Sequence, residues 1–443
     1  MIDRRGFVAS LASLALLPAN GAQAAPADDG SGSPAATSPF APEVYRERRR
    51  RLMTQMKSGV AVVYGITKGA ASSDITNDFR QAADFSYLTG IQDEIDAVLV
   101  LAPFESTIKE FLLLAPRNIE SEQWEGARLS LGQSLRSRTG FEVIRRTSSL
   151  GGLVTGLASR SGELHFLGPL ATPNEPIPPA LELYGKVAAR VPGTRIVNSH
   201  DLIRRMRMVK EPRELDLMRQ AIAATERGLL AVMRQARVGM REFELKTVLE
   251  AEFKAAGARA LAFPSIVATG RSTAVLHYTG SNRVIREGDL ILCDVGAEVG
   301  GYAADITRTF PVSGRFSSEQ RSVYDTVLGA QEAAMRTLKA GVVYDEIHQA
   351  GLAVIEAAGH RDDLWHSLGH FVGLEVHDAG NYAVPLPVDS VVTIEPGIYL
   401  PQQGFGVRIE DDYRVTARGF DHMTSRVPRA ALAVESLMAA ARG

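Results

Sequence analysis

Cysteine is almost absent from these 443 residues. Cys293 stands alone, so no intrachain disulfide can form. It lies inside the apolar run LILCDV and reads as a small buried hydrophobe rather than a nucleophile. Net charge is nearly absent too. The 49 Lys and Arg against 51 Asp and Glu leave −2, which gives no general case for nucleic acid or a membrane surface as a partner. No apolar run reaches the roughly 20 residues that a spanning helix needs. The nearest, at the N-terminus, is interrupted by Pro18 and Asn20. What remains is an ordinary globular composition, 45% hydrophobic, with length for two or three domains.

The first 24 residues have the layout of an export signal. Paired Arg4 and Arg5 precede an apolar run, and Ala22-Gln23-Ala24 supplies an A-x-A cleavage site. The run RRGFV is of the twin-arginine type, which implies a periplasmic protein, or a cytoplasmic one if the signal is not used. Residues 25–42, rich in Ala, Pro, Ser, Gly and Asp, read as a disordered linker.

Residues 43–198 alternate. A basic helix, PEVYRERRRRLMTQMK, precedes the short apolar runs GVAVVYG, DAVLVLAP, KEFLLLAP, EVIRR, ELHFLG and RIVNS. Helical stretches such as IPPALELYGKVAAR separate some of them, which implies a layered α/β domain. The basic face of the first helix is expected to be solvated. From 199 to 430 the character changes. KEPRELDLMRQAIAATERGLLAVMRQARVG is a long amphipathic helix with Pro212 in its first turn and Gly239 at its end. Leu215, Met218, Ile222, Leu229 and Met233 form its apolar stripe. Residues 431–443 are expected to be a C-terminal tail.

This second region repeats itself at an offset close to one hundred. Residues 238–257 echo 340–359, AVLHYTG echoes LEVHDAG, and GDLILCDVG echoes DSVVTIEPG. Three segments agreeing in order and spacing imply two halves related by a pseudo-two-fold.

The segment DVGAEVGGYAADITRTF reads as a hairpin folded about Val299–Gly300, which would place Asp294 directly opposite Asp305. Like charges in that position repel. Across the repeat, Asp294 corresponds to Glu395, Asp305 falls near the counterpart of Glu410, and His277 corresponds to His377. The axis would thus gather four carboxylates and two imidazoles. His370 has no counterpart and would make one side of the site unlike the other. Desolvation and mutual repulsion oppose four buried carboxylates, and two divalent cations would resolve the conflict. An oxygen-rich set with one nitrogen suits Mn²⁺ or Co²⁺, with Zn²⁺ also compatible. Taken singly, each residue has a duller reading. Asp294 and Asp305 could be turn residues, Glu410 could pair with Arg408 at a surface, and His277 and His377 could be core histidines.

The segments DVG…DITRTF, HSLGH…VHD, IEPG and RIED resemble the aminopeptidase P and prolidase group of the pita-bread metallopeptidases. FRQAADFSYLTG and ESEQWEGARLS resemble N-terminal segments of aminopeptidase P. The resemblance implies an α/β N-terminal domain followed by an α+β pita-bread catalytic domain. It implies two metal ions on Asp294, Asp305, His370, Glu395 and Glu410, with His277, His366, His377 and Arg408 in the substrate pocket. Ser367 departs from the group's usual glycine. The implied activity is hydrolysis of the N-terminal Xaa-Pro bond of peptides by a hydroxide shared between the metals. Glu395 would be the general base, and His277 and His377 would stabilise the developing charge. His366 and Arg408 would shape the proline side. A homodimer or homotetramer is implied as well. A prolidase acting on dipeptides and a non-catalytic peptide-binding module on the same fold are the alternatives. Hydrolysis of a tripeptide separates the first, and no hydrolysis at all marks the second.

Overall fold

The computed structural model describes residues 38–67, 80–125 and 130–440. The expected export signal and residues 25–37 of the expected linker lie outside them. All six apolar runs of the N-terminal region are strands of one sheet. From one edge to the other these are Ile144–Arg146, Glu110–Leu114, Val98–Leu101, Val60–Tyr64, Glu163–Phe166 and Arg195–Asn198. Helices Leu150–Ser161 and Pro179–Ala188 pack on it through Val154, Leu157 and Tyr184.

The helix Pro42–Met56 corrects the expectation of a solvated basic face. Arg48 and Arg49 are buried. The guanidinium of Arg49 lies 4.0 Å over the Phe141 ring and donates to Glu110 Oε2 at 2.5 Å. Arg48 lies 3.3 Å from both Glu211 and Glu214. Arg50 and Arg51 are the exposed pair. The run of four arginines hides two that are internal partners of carboxylates.

The repeat is visible in the second region. Helices Pro212–Gln235 and Glu242–Ala255 precede the antiparallel strands Leu290–Val295 and Ile306–Pro311. Helices Ser318–Thr337 and Tyr344–Ala357 precede the antiparallel strands Val391–Ile394 and Asp411–Val415. The apolar stripe of the Pro212–Gln235 helix is buried along its length. The helix stops at Gln235, four residues before Gly239. The expected tail is largely a helix, Ala431–Ala440, whose Val434 and Met438 enter the core beside Leu229 and Val232.

The hairpin register differs from the expected one. Val299 pairs with Tyr302 and Thr307 pairs with Asp294, so Asp305 stands two residues from the position opposite Asp294. The turn is centred on Gly300–Gly301, which have φ of 60° and 88°. A two-residue turn with positive φ at both central positions matches the strand twist, and glycine adopts it without strain. A shift of two keeps every side chain on its face, so both carboxylates still point the same way.

Candidate metal centre and active site

The seam between the two halves gathers the acids. Asp294 is the next-to-last residue of the strand Leu290–Val295, and Asp305 sits just before the strand Ile306–Pro311. Glu395 follows the strand Val391–Ile394, and Glu410 joins Phe405–Arg408 to Asp411–Val415. Bonds across the seam, one between backbones and one from a side chain, fix this placement. Glu410 N donates to Thr307 O at 3.1 Å, and Thr309 Oγ1 donates to Arg408 O at 2.9 Å. His370 lies alongside the strand Val391–Ile394, where Thr393 N donates to His370 O at 2.8 Å and His370 N donates to Thr393 Oγ1 at 3.0 Å.

One ligand atom each from Asp305, His370 and Glu410 lies within 4.8 Å of the others, and all three residues are buried. His370 Nε2 is 3.5 Å from Asp305, 3.6 Å from Glu395 and 3.9 Å from Glu410. Two ligands about 2.1 Å from one cation stand roughly 3.0–3.5 Å apart at ordinary coordination angles. The nearer of these spacings suit ligands around an ion better than a direct hydrogen-bonded cluster. Asp305 Oδ1 and Glu410 Oε1 are buried without a hydrogen-bond partner. Leaving such oxygens unpaired is costly, and a cation removes the cost. The donor set therefore fits divalent metal.

The electrostatics agree. Burial, then the neighbouring Glu410 and Asp294, pushes the Asp305 carboxyl well above the usual carboxylate range. Burial and Glu410 do the same to Glu395. Burial and Asp294 push Glu410 up to about 7. Without added positive charge these groups hold protons that a metal would displace.

Asp294 is placed differently from the other expected ligands. Arg408 Nη2 donates to Asp294 Oδ2 at 2.5 Å, and Arg408 Nη1 donates to Tyr399 Oη at 2.7 Å. His366 Nε2 is 2.8 Å from the same Tyr399 oxygen, which links both expected pocket residues through one phenol. Burial above all holds His366 down at about 4, so it is neutral at physiological pH. His377 stacks on His370 with ring centroids 4.0 Å apart. Burial, then His370 and His277, lowers His377 to about 4 as well. His277 is exposed, yet near enough for its charge to act on both His366 and His377.

Sequence reasoning missed three members. Thr307 Oγ1 donates to Glu410 Oε2 at 2.8 Å and aims that ligand. Tyr399 joins Arg408 and His366. Buried Asp412 accepts from the Asp305 amide at 3.2 Å, and burial pushes its carboxyl well above the usual range. Asp412 follows Glu410 by two, and Thr307 follows Asp305 by two, so strand periodicity was the available signal. Between Glu410 and Asp412, Asp411 faces away. Burial opposes its charge, but Arg308 beside it at 2.6 Å holds it below the usual range. Beside His377 a cleft of about 810 Å³ opens toward the N-terminal domain, lined by Tyr64, Phe166, Leu170, Arg204 and Tyr382 among others.

A pseudo-symmetric catalytic domain with a buried carboxylate–imidazole cluster defines a metallopeptidase. Residues 216–417 match metallopeptidase family M24, and residues 45–165 match the aminopeptidase P N-terminal domain. The Xaa-Pro aminopeptidase of Haemophilus influenzae is 33% identical over 89% of this chain and 97% of its own length. Aminopeptidase PepP of Pseudomonas aeruginosa is 32% identical with a TM-score of 0.80, over 91% of this chain and 99% of that one. Zinc-substituted Escherichia coli aminopeptidase P in complex with product is 30% identical with a TM-score of 0.81, at the same coverage. The chain belongs to the Xaa-Pro aminopeptidases of family M24, and it is a metal-dependent exopeptidase.

Proposed function

We propose that the chain removes the first residue from peptides with proline second, using two divalent cations, manganese foremost. Asp294, Asp305, His370, Glu395 and Glu410 would hold them. The observation that carries this reading is the convergence of Asp305, His370 and Glu410, with two of their oxygens buried and unpartnered. Divalent cations in that site supply Lewis acidity and bring the pKa of water toward neutrality.

The residues of the chain divide the remaining work. Glu395 takes a proton from water and delivers it to the leaving proline nitrogen. Its place beside His370, 3.6 Å from Nε2, puts it within the cluster where water would be activated. Neutral His377, with His277 from the other half, donates to the carbonyl oxygen as charge develops there. His366 and Arg408, fixed through Tyr399, bound the proline side. A tertiary amide offers no N–H, so the ring is recognised by shape. The cleft beside His377 leaves room for residues beyond proline, which favours peptides over dipeptides alone.

Cleavage of a panel of Xaa-Pro-Xaa and Xaa-Pro peptides, with metal analysis, tests the reading. Fast release from tripeptides supports it. Release only from dipeptides indicates a prolidase, and no release indicates a binding module. We further propose export by the twin-arginine signal, supported by RRGFV and Ala22-Gln23-Ala24, and assembly into a homodimer or homotetramer. Cell fractionation with N-terminal sequencing tests the first, and light scattering the second. Among the described residues no helix is long and apolar enough to cross a membrane.

A further inference from the structure

The segment 371–380, which carries His377, contains no regular strand or helix. Backbone bonds hold its start, where Val372 N donates to Val391 O at 3.2 Å and Asp378 N donates to Phe371 O at 2.8 Å, and side chains from residues 204–210 tie the rest. Arg207, at the end of helix His200–Met208, is buried. Its Nη2 donates to Glu375 Oε2 at 2.7 Å and also to Asp378 Oδ1. Lys210 Nζ donates to Asp378 Oδ2 at 2.9 Å. One turn earlier, Arg204 donates to the carbonyl of Gly380. The ties therefore bracket His377 on both sides. Arg207 Nη1 turns the other way and donates to Asp84 Oδ1 at 2.7 Å, on the N-terminal helix Ala83–Thr89. The contact is close-fitting. A Cβ on Gly373 would meet Asp378 Oδ2 at 2.2 Å, so glycine is needed for the carboxylate to lie there.

We propose that Arg207 is a positioning residue for the hydrolysis: it fixes the backbone of His377 against His370 and couples that placement to the N-terminal domain through Asp84. The inference rests on His377 acting on substrate, as set out above. Residues 375–380 lie outside any strand ladder, and the buried side-chain ties add to the few backbone bonds that hold them. A displacement of about 1 Å at a catalytic group can lower turnover about 100-fold.

A double-mutant cycle on the metal-loaded full chain tests it. Arg207→Gln, His377→Ala and the double variant are compared on an Xaa-Pro-Xaa tripeptide, with metal content and Tm recorded. Arg207→Gln is expected to lower kcat about 10- to 100-fold with KM little changed, and to add almost nothing in the His377→Ala background. A general loss of structure would instead multiply with the His377 effect. Multiplicative losses therefore overturn the proposal while leaving the role of His377 intact. If His377→Ala leaves turnover unchanged, both fall. Asp84→Asn keeps the test open should Arg207→Gln fail to fold. It is expected to lower kcat about 3- to 10-fold, again only when His377 is present. Unchanged kcat in Asp84→Asn overturns the coupling to the N-terminal domain.

Discussion

Arg408 and Asp294 face each other across the seam of the catalytic domain, with Nη2 and Oδ2 at 2.5 Å. The guanidinium also donates to Tyr399, so it neutralises one acid while steering a phenol and, through it, His366. Arg408→Ala is expected to lower kcat/KM on Xaa-Pro-Xaa peptides about 100-fold. Arg408→Lys keeps the charge but not the two-pronged reach, and it should recover only part of that loss. Equal activity in the Lys variant and the native protein would show that charge alone suffices.

Glu395 lies 3.6 Å from His370 Nε2 and is assigned both to the metal site and to proton transfer. Glu395→Ala should therefore nearly abolish turnover. Activity surviving at about a tenth of normal would remove it from the proton-transfer role, since loss of a positioned acid–base typically costs 100-fold or more.

The effect of pH on metal binding follows from Glu410. Its pKa stands at about 7 instead of 4.5, mainly through burial and then Asp294. A raised acid keeps its proton below that value, and a cation has to displace it. Metal affinity should fall as pH drops through 7. Without metal the sign reverses. The protonated carboxyl favours the fold fully below pH 4.5, and that contribution is lost as pH rises through about 7. The rise in Tm on adding a fixed Mn²⁺ concentration to chelator-treated protein should be larger at pH 8 than at pH 6. A larger rise at pH 6 would contradict the assignment.

Two adjacent arginines should behave oppositely. Arg49 is fully buried between Glu110 and the Phe141 ring. Arg49→Ala removes the partner of a mostly buried carboxylate and should lower unfolding free energy by about 3 kcal/mol. Arg50, in the next position, pairs with Glu47 at the surface, and Arg50→Ala should leave the urea midpoint unchanged. Similar shifts in both variants would rule out the buried pairing as the cause.

Much of this site was legible in the sequence because it is duplicated. Glu395 echoes Asp294, and His370 is the residue that breaks the echo. The hairpin register lies two residues from the expected one, because the expectation centres the turn on Val299–Gly300. The φ values at Gly300 and Gly301 make the glycine pair the turn itself. The faces survived the error because side-chain direction has period two. Arg48, Arg49 and Arg207 were not legible. Each donates to partners 39 or more positions away, Tyr87 for Arg48, Leu88 for Arg49 and Asp378 for Arg207 among them, and composition alone places arginine outside. Tyr399 was hidden for a different reason, since its partners Arg408 and His366 meet it only once the hairpin of residues 397–408 packs against residue 366.

The most direct measurement is cleavage of an Xaa-Pro-Xaa tripeptide by protein stripped with chelator, verified free of metal, and then titrated with Mn²⁺. Activity should vanish on stripping and return as the cation fills the cluster of Asp305, His370 and Glu410, with His370→Ala blocking the recovery. Undiminished cleavage by the metal-free protein would contradict the reading of these buried acids as a metal centre.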